Sequence, residues 1–285
     1  MLNHPLIPML RIGGWTPTVK HVFILLVVIV YVLSMLETGT NPQAFIEGIP
    51  MMGEFVWTMF PPHFIDWDAP YYYNREADIP FLLEKAVETI QMAVVGTFLA
   101  VIFGFLLAMV AARNISPNIF VYQAARTICD SFRGISELVW ALLFVSMVGL
   151  GPFTGILALA VHNTGALGKY FSEAIEAIDV GVLEAVEASG ATRTQVFFHG
   201  VMPELGALFM SYILYYFEHN LRQATVLGVV GAGGLGTSLL LSMTYFNFDK
   251  VLTIVMIMLT MVLITDWLSG IIRKRLVGGE LVMVA

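Results

Sequence analysis

Six polar side chains lie within or at the edges of long apolar runs of this sequence. They are two carboxylates, a histidine, two amides and an arginine: Glu137, His162, Asn163, Glu218, Asn220 and Arg222. An ionisable side chain in hydrocarbon is costly unless it faces a cavity or a polar partner. An arginine also offers planar, paired donors that suit the oxygens of an anion. These six residues are therefore predicted to line a solute path or its gate.

Structural roles compete with that interpretation at three of the six positions. Arg222 follows Glu218 by four residues, so we expect the two to pair along one helix face, ahead of direct contact between Arg222 and an anion. For His162, a hydrogen bond between helices is favoured over a ligand role. An ionised Glu137 would repel an anion, so a structural or gate role is favoured there.

The composition assigns the chain to a membrane class. Its 285 residues are 58% hydrophobic and 12% charged, whereas about a quarter of the residues in soluble domains are charged. A membrane-spanning helix needs about 20 mostly apolar residues, and several such runs are present. Unbroken runs exclude an outer-membrane barrel, whose strands alternate. The single cysteine, Cys129, provides neither a disulfide framework nor a metal cluster. The prediction is an all-α polytopic membrane protein.

About six membrane spans are predicted, with boundaries uncertain by a few residues. They cover 22–36, 89–111, 138–148 with an extension back toward Ile135, 153–167, 205–217 and 251–268. The first run lacks a small-residue cleavage site and is expected to remain as an anchor. Residues 225–243 are apolar but interrupted by glycines, which predicts a broken or re-entrant segment.

The distribution of charge predicts the orientation of the chain. Residues 37–85 hold eight acidic residues but only two basic ones, whereas cations cluster after the second, fourth and sixth spans. By the positive-inside rule those three clusters, and both termini, are cytoplasmic. The acidic segment also carries tryptophans and tyrosines, which predicts a partly helical element at the outer interface. An ordinary connecting loop is the alternative.

The segment between the fourth and fifth spans is patterned like an amphipathic helix. Apolar residues recur at helical spacing from Phe171 to Val186, and Gly190 is placed to end that helix. Thr192 and Gln195 fit a capping box that opens a second short helix, and Pro203 then introduces the fifth span. Two short helices at a fixed angle suit mechanical contact with another protein. Packing of the segment on its own bundle is the alternative.

The same segment carries a resemblance to a known family. Glu184, Ala185 and Val186, then Gly190 and Pro203, resemble the E-A-A signature of ABC-type importer permeases, and Ala191 and Arg193 lie in the same loop. Val186 replaces the usual second alanine, and Gly200 replaces a branched aliphatic residue. Five further runs resemble the phosphonate-type permeases in particular: 111–114, 137–142, 148–152, 218–222 and 231–236. The similarity covers roughly residues 80–276.

This resemblance implies a type I importer bundle with a coupling loop at 171–203. Residues 1–80 would form an anchor and outer segment, 81–276 the permease core, and 277–285 a cytoplasmic tail. Two permease chains, expected to be a homodimer, would work with a dimer of ATP-binding subunits and a periplasmic solute-binding protein. The implied location is the bacterial inner membrane. The implied solute is a phosphonate, phosphite, hypophosphite or phosphate. An amino-acid importer and, less well supported, an intramembrane enzyme or channel remain as alternatives.

No cofactor, metal or nucleic acid is expected on this chain, and it is not expected to be an enzyme. The sequence lacks the G-x-x-x-x-G-K-[ST] phosphate loop, so ATP and Mg²⁺ are assigned to the partner subunit. Four glycines mark the predicted break: Gly231, Gly233, Gly234 and Gly236. Three of them match G-x-G-x-x-G, but no strand-helix-strand unit surrounds them, so close helix approach or a break is predicted rather than nucleotide binding.

Overall fold

The computed structural model describes residues 17–39, 42–60, 62 and 79–277, which divide into two units at Thr58 and Met59. The first unit contains α1 (Pro17–Glu37) and α2 (Pro42–Thr58). From Val22 to Leu33 the large apolar side chains of α1 are exposed. A helix that is apolar all round needs an apolar environment, and lipid supplies one. Helix α2 lies in the predicted outer segment, whereas Trp67 and Tyr71 to Tyr73 of that segment lie outside the described residues.

The second unit is a bundle of helices joined by short connections. Its long helices are α3 (Ile79–Ala111), α4 (Ile119–Gly134), α5 (Glu137–Val148), α6 (Pro152–Glu176), α9 (Met202–Leu227) and α11 (Phe248–Val277). Its short helices are α7 (Val180–Glu187), α8 (Arg193–Val196) and α10 (Leu235–Thr244). A π turn (Phe197–Val201) precedes α9 and a 3-10 turn (Gly228–Val230) follows it. The described residues contain no strand, so the predicted all-α class is confirmed.

Helices α3 and α6 form the central pair because small residues let their backbones approach. A Cβ on Gly96 would lie 3.0 Å from Leu159 Cβ, and one on Gly104 would lie 3.1 Å from Leu167 Cβ. Without a hydrophobic driving force between helices in lipid, such close packing supplies much of the association energy. Helix α9 packs against both members of the pair, which brings the polar residues of three helices together.

Three helices among the described residues are long and apolar enough to cross a membrane. They are Ile79–Ala111, Phe197–Val230 and Phe248–Arg275. The pair α4 and α5, bent by 88°, makes a fourth if it counts as one broken span. Helices α1 and α6 cover the predicted first and fourth spans. Each predicted span therefore falls on a helix, and the number of crossings stays a prediction.

The fifth span differs most from its predicted limits. Helix α8, the π turn and α9 run on without a break, so Pro203 lies inside a continuous helix and does not introduce it. Proline cannot donate to the carbonyl four residues back. In the wider turn just before it, the N–H of Met202 donates to the carbonyl of Phe197. The π turn thus lets the helix pass the proline.

The single amphipathic helix predicted across 171–186 is also wrong. Helix α6 ends at Glu176, and a new helix, α7, begins after Asp179, whose carboxylate accepts the N–H of Gly181 at 2.9 Å. An acidic residue that caps a helix in this way favours a fresh start over continuation. The apolar spacing persisted across the break, which is why periodicity alone did not reveal it. Helix α4, capped by Asn118, was likewise not predicted as a separate element.

Candidate functional site

The elbow, defined here as residues 180–201 with α7, α8 and the π turn, has Gly190 between its two arms. Its φ of +82° lies in the left-handed region, where a residue with a side chain is strained. A Cβ at this position would meet nothing within 4 Å. The requirement for glycine is therefore torsional and not a matter of space. The predicted end of the helix at Gly190 is confirmed.

The second arm of the elbow opens with one half of the predicted capping box, the bond from the Thr192 backbone to the Gln195 side chain. The backbone N–H of Thr192 donates to the side-chain oxygen of Gln195 at 2.8 Å, and the Thr192 hydroxyl donates to the same oxygen at 3.0 Å. Capping of this kind satisfies a backbone donor that the first helical turn leaves free. Both sides of the Gly190 turn are thus held in a defined geometry.

The elbow is anchored to the bundle by aromatic side chains. Phe197 and Val201 are buried, and the Phe197 ring lies 6.2 Å from that of Phe105 on α3 in an edge-on arrangement. Phe105 makes similar edge contacts with Phe171 at 6.4 Å and with Phe209 at 6.4 Å. Such contacts connect the elbow to α3, α6 and α9. A displacement of the elbow would therefore be transmitted to three of the long helices.

The outer surface of the elbow is exposed. Glu184, Ala185 and Gly190 are exposed, and Ala191 is partly exposed. Arg193 is the first residue of α8, and its side chain lies outside the described part of the chain. The elbow therefore presents Glu184 and Ala185 outward while Phe197 packs inward, which is the geometry that a docking surface requires.

The two departures from the E-A-A pattern contact each other. A Cβ on the buried Gly200 would lie 3.5 Å from Cγ2 of Val186. The branched side chain of Val186 thus covers the position that a larger residue at 200 would cover. A volume exchange of this kind keeps the packing density of the elbow.

In the interior of the bundle, Glu137 joins three helices. One of its carboxylate oxygens lies 3.1 Å from Nε2 of His162 on α6 and 3.0 Å from Nε2 of His219 on α9. His162 also places Nδ1 2.9 Å from the carbonyl oxygen of Ile135. The predicted interhelical hydrogen bond of His162 is confirmed. His219, which the sequence placed in a motif but not in the path, belongs to this cluster.

Two imidazole rings enclose the carboxyl group of Glu137. A carbonyl oxygen only accepts hydrogen bonds, so the contact with Ile135 is one in which Nδ1 of His162 donates. Nε2 of His162 and Nε2 of His219 both face the same carboxylate oxygen of Glu137. Glu137 therefore has partners within the bundle and does not face the path as an isolated group.

Directly after His162 and His219 in sequence, two amides form a buried chain with a hydroxyl on α3. Asn220 accepts a hydrogen bond from Nδ2 of Asn163 and donates one to the hydroxyl of Thr97 at 2.7 Å. Both asparagines are fully buried. The structure thus brings four of the six predicted residues, Glu137, His162, Asn163 and Asn220, into one polar layer between α3, α5, α6 and α9.

The other two predicted residues face a different helix. Glu218 accepts from Arg273 at 3.0 Å, and Arg222 pairs with Asp266 at 3.4 Å. The predicted pair between Glu218 and Arg222 is therefore wrong. Helix α11 packs against α9 and supplies Arg273 to Glu218 and Asp266 to Arg222. Glu218 and Arg222 therefore pair with α11 and not with each other. The direct anion contact of Arg222 stays a prediction.

The glycine-rich run forms the predicted break. Gly231, Gly233 and Gly234 all have positive φ, and a Cβ on Gly236 would meet the carbonyl oxygen of Thr225 at 2.0 Å. Glu88 accepts the N–H of Gly234 at 2.9 Å, and the hydroxyl of Thr89 accepts that of Leu235 at 3.0 Å.

Irregular backbone at membrane depth needs hydrogen-bond partners for its N–H groups, and Glu88 and Thr89 supply two of them here. Glu88 and Thr89 on α3 were missed by the sequence analysis. Their position at the start of the predicted second span is the signal that would have found them.

Together, the helical bundle, the exposed elbow and the buried polar layer define the class of a type I ABC importer permease. The model of the family described as "Binding-protein-dependent transport system inner membrane component" matches residues 90–278, and this chain belongs to that family.

Two relatives in Stutzerimonas stutzeri and one in Mycolicibacterium smegmatis are similar over most of this chain. The phosphite transport system permease protein PtxC is 33% identical over 92% of this chain and 90% of its own length. HtxC, provisionally named for phosphite transport, is 40% identical over 79% of this chain and 76% of its own length. The phosphate-import permease PhnE of M. smegmatis is 36% identical over 83% of this chain and 42% of its own length.

Among solved structures, the fold is similar to that of a chain in inward-facing conformations of the MetNI methionine ABC transporter. The TM-score is 0.62 at 21% identity, and the match covers 70% of this chain and 97% of that one. At this identity the likeness supports the fold alone.

Proposed function

We propose that this chain is the permease subunit of an ATP-driven importer for phosphonate or a related phosphorus oxyanion such as phosphite, hypophosphite or phosphate. One observation carries the solute class: the relative PtxC, named for phosphite transport, matches 92% of this chain at 33% identity. The relative PhnE, named for phosphate import, supports the same class at 36% identity. The family description adds that transport depends on a binding protein.

The elbow supports a docking role toward a dimer of ATP-binding subunits. Its outward residues, Glu184 and Ala185, are free to enter a groove of a partner, and its inward residue Phe197 reaches the long helices. ATP and Mg²⁺ belong to that partner in this proposal. Closure of the ATP-binding subunits moves the elbow, and the helices that contact Phe105 move with it.

The remaining partners follow from the same proposal. A second copy of this chain forms the other half of the pathway, a periplasmic binding protein delivers the anion, and both termini are cytoplasmic in the bacterial inner membrane. A solute biases the two access states only through a difference in its affinity for them. The polar layer around Glu137 and Asn220 lies between the helices that rearrange and is the proposed gate.

Transport by the reconstituted complex tests the solute class. The permease, the ATP-binding subunit and the binding protein are assembled in proteoliposomes, and uptake of labelled phosphite, methylphosphonate and methionine is measured with and without ATP. The expected result is ATP-dependent uptake of the phosphorus oxyanions that requires the binding protein. Uptake of methionine instead would replace the proposed solute class, and flux without ATP would indicate a channel.

Docking of the elbow is tested by Glu184→Lys. Because this side chain is exposed, reversal of its charge is expected to leave the chain in the membrane while uptake falls. Crosslinking of a cysteine at 185 to the ATP-binding subunit measures the contact directly. Normal uptake and normal crosslinking in the variant would contradict the docking role.

A further inference from the structure

An open polar cavity of about 570 Å³ lies between α4, α6 and α9, and it begins at His162 of the Glu137 cluster. Its lining includes Asp130, Arg133, His162, Lys169 and Tyr216. This volume falls in the range of small-molecule binding sites. Cationic side chains outnumber carboxylates in the lining, so the cavity favours an anion.

The charges of the cavity are arranged around one carboxylate. Nζ of Lys169 lies 2.7 Å from Oδ1 of Asp130, and Nε of Arg133 lies 3.3 Å from the same oxygen. Two cations therefore share one anion. Among the described residues the ion pair of Arg133 uses only Nε, which leaves the two terminal nitrogens of its guanidinium to a ligand. That fork matches the geometry of two oxygens on one phosphorus.

The backbone holds these side chains in place by a close approach of two helices. A Cβ on Gly165 of α6 would meet Cβ of Phe132 at 2.6 Å and the backbone nitrogen of Arg133 at 2.8 Å. The end of α4 thus packs closely against α6 beside the cavity. His162 and Lys169 are seven residues apart on α6, or about 10 Å along its axis. The cavity extends from the Glu137 cluster toward the end of α6 that leads to the elbow.

We propose that this cavity is a transit site for the phosphorus oxyanion, with Arg133 and Lys169 as its ligands and Asp130 as a resident counter-ion. The inference rests on the proposed function and adds to it the residues that hold the anion. An arriving anion must compete with Asp130 for both cations. Binding is therefore weak, and a transport path requires sites from which the solute can leave.

The alternative is that these ion pairs only hold α4 against α6, and that role predicts different effects of substitution. Lys169 and Asp130 also join α6 to α4, and a second set of ion pairs does the same elsewhere. Arg126 of α4 pairs with Glu173 at 3.1 Å and with Glu176 at 2.7 Å on α6, and it does not line the cavity. Arg126→Met is thus the matched control, because it removes a contact between the same helices without removing a cation from the cavity.

The first measurement compares uptake by three variants of the whole reconstituted complex, with phosphite and methylphosphonate as probes. Lys169→Met and Arg133→Gln are each expected to lower uptake about tenfold or more, the loss expected for one charge-assisted hydrogen bond. The basal ATPase rate is compared in parallel. Arg126→Met is expected to retain more uptake than either. Equal losses in all three variants, after correction for the amount of complex, would overturn the inference.

The second measurement is equilibrium binding of labelled phosphite to the permease and ATP-binding subunits without the binding protein. Asp130→Asn removes the competing carboxylate and leaves both cations, so phosphite is expected to bind about tenfold more tightly than in the unaltered complex. Lys169→Met is expected to weaken the binding about tenfold. A structural role for the ion pairs predicts no gain in Asp130→Asn, and that result would overturn the inference even if a variant assembles poorly.

The two proposals fail in distinguishable ways. If the unaltered complex transports neither phosphite nor methylphosphonate, the proposed function fails, and the transit site fails with it. If the unaltered complex transports them and Asp130→Asn binds phosphite no better, the transit site alone is wrong. Uptake with the expected order of variants supports both.

Discussion

Replacement of Gly190 isolates the contribution of one backbone torsion to coupling. At φ +82°, an alanine costs about 1–2 kcal/mol relative to glycine, and a β-branched valine costs more. No atom lies within 4 Å of the added Cβ, so this cost is not one of crowding. A change of that size alters the population of the native elbow by a factor of roughly 5–30. Asparagine tolerates the left-handed region, so its cost is smaller.

The expected order of uptake is therefore glycine, asparagine, alanine and then valine, measured in proteoliposomes together with solute-stimulated ATP hydrolysis. Gly206→Ala is the matched control. A Cβ there also meets nothing within 4 Å, but that residue is helical and lacks a positive φ. It is expected to transport normally. If uptake instead followed side-chain size, with asparagine worse than alanine, the torsional argument would be refuted.

Four further substitutions test packing and polar contacts. Val186→Ala is expected to reduce coupling by leaving a gap of about one side chain beside Gly200. Gly200→Val in the same chain is expected to restore coupling. If the double variant instead lost as much uptake as the two single variants together, the two positions would not interact. Asn220→Ala removes one hydrogen bond from Asn163 and one from Thr97, while each keeps its bond to a carbonyl of its own helix. Thermal unfolding of the purified complex should therefore show a loss of about 0.5–1.5 kcal/mol for each lost bond; an unchanged unfolding temperature would contradict the polar chain. Arg222→Met removes the ion pair with Asp266. The side chains of Arg222 and Asp266 are 45% and 42% exposed, so this pair contributes about 0–1 kcal/mol to stability. Binding of the ATP-binding subunit should therefore persist. If Arg222 contacts the anion, uptake falls in the same variant, and unchanged kinetics would remove it from the path.

Local patterns in the sequence predicted much of the elbow. Gly190 and the box formed by Thr192 and Gln195 depend on hydrogen bonds and torsions within a few residues, so their types and spacing were sufficient. The glycine break at 231–236 was predictable for the same reason. The limits of α6 and α9 were not predictable from the sequence. The apolar periodicity continues through the cap at Asp179 and through the π turn before Pro203, so it does not mark either limit.

The partners of the polar side chains required the fold. From sequence, Glu218 and Arg222 were each other's nearest opposite charges, yet α11 supplies Arg273 to one and Asp266 to the other. His219, Glu88 and the cavity around Lys169 were also missed. Each of these sites is made of residues that are distant in the chain and come together only when helices pack.

By itself, the sequence determined the membrane class, the helical content and the position of the elbow. Composition, apolar run length and short-range capping act locally, and each can be evaluated without a partner helix. Only the tertiary structure decided which buried polar groups face one another, that Val186 covers Gly200, and that Arg133 and Lys169 share one carboxylate. In an apolar environment a buried polar group pairs with the polar group that helix packing places beside it. That pairing depends on how the helices cross, and the spacing of residues in the sequence does not determine the crossing.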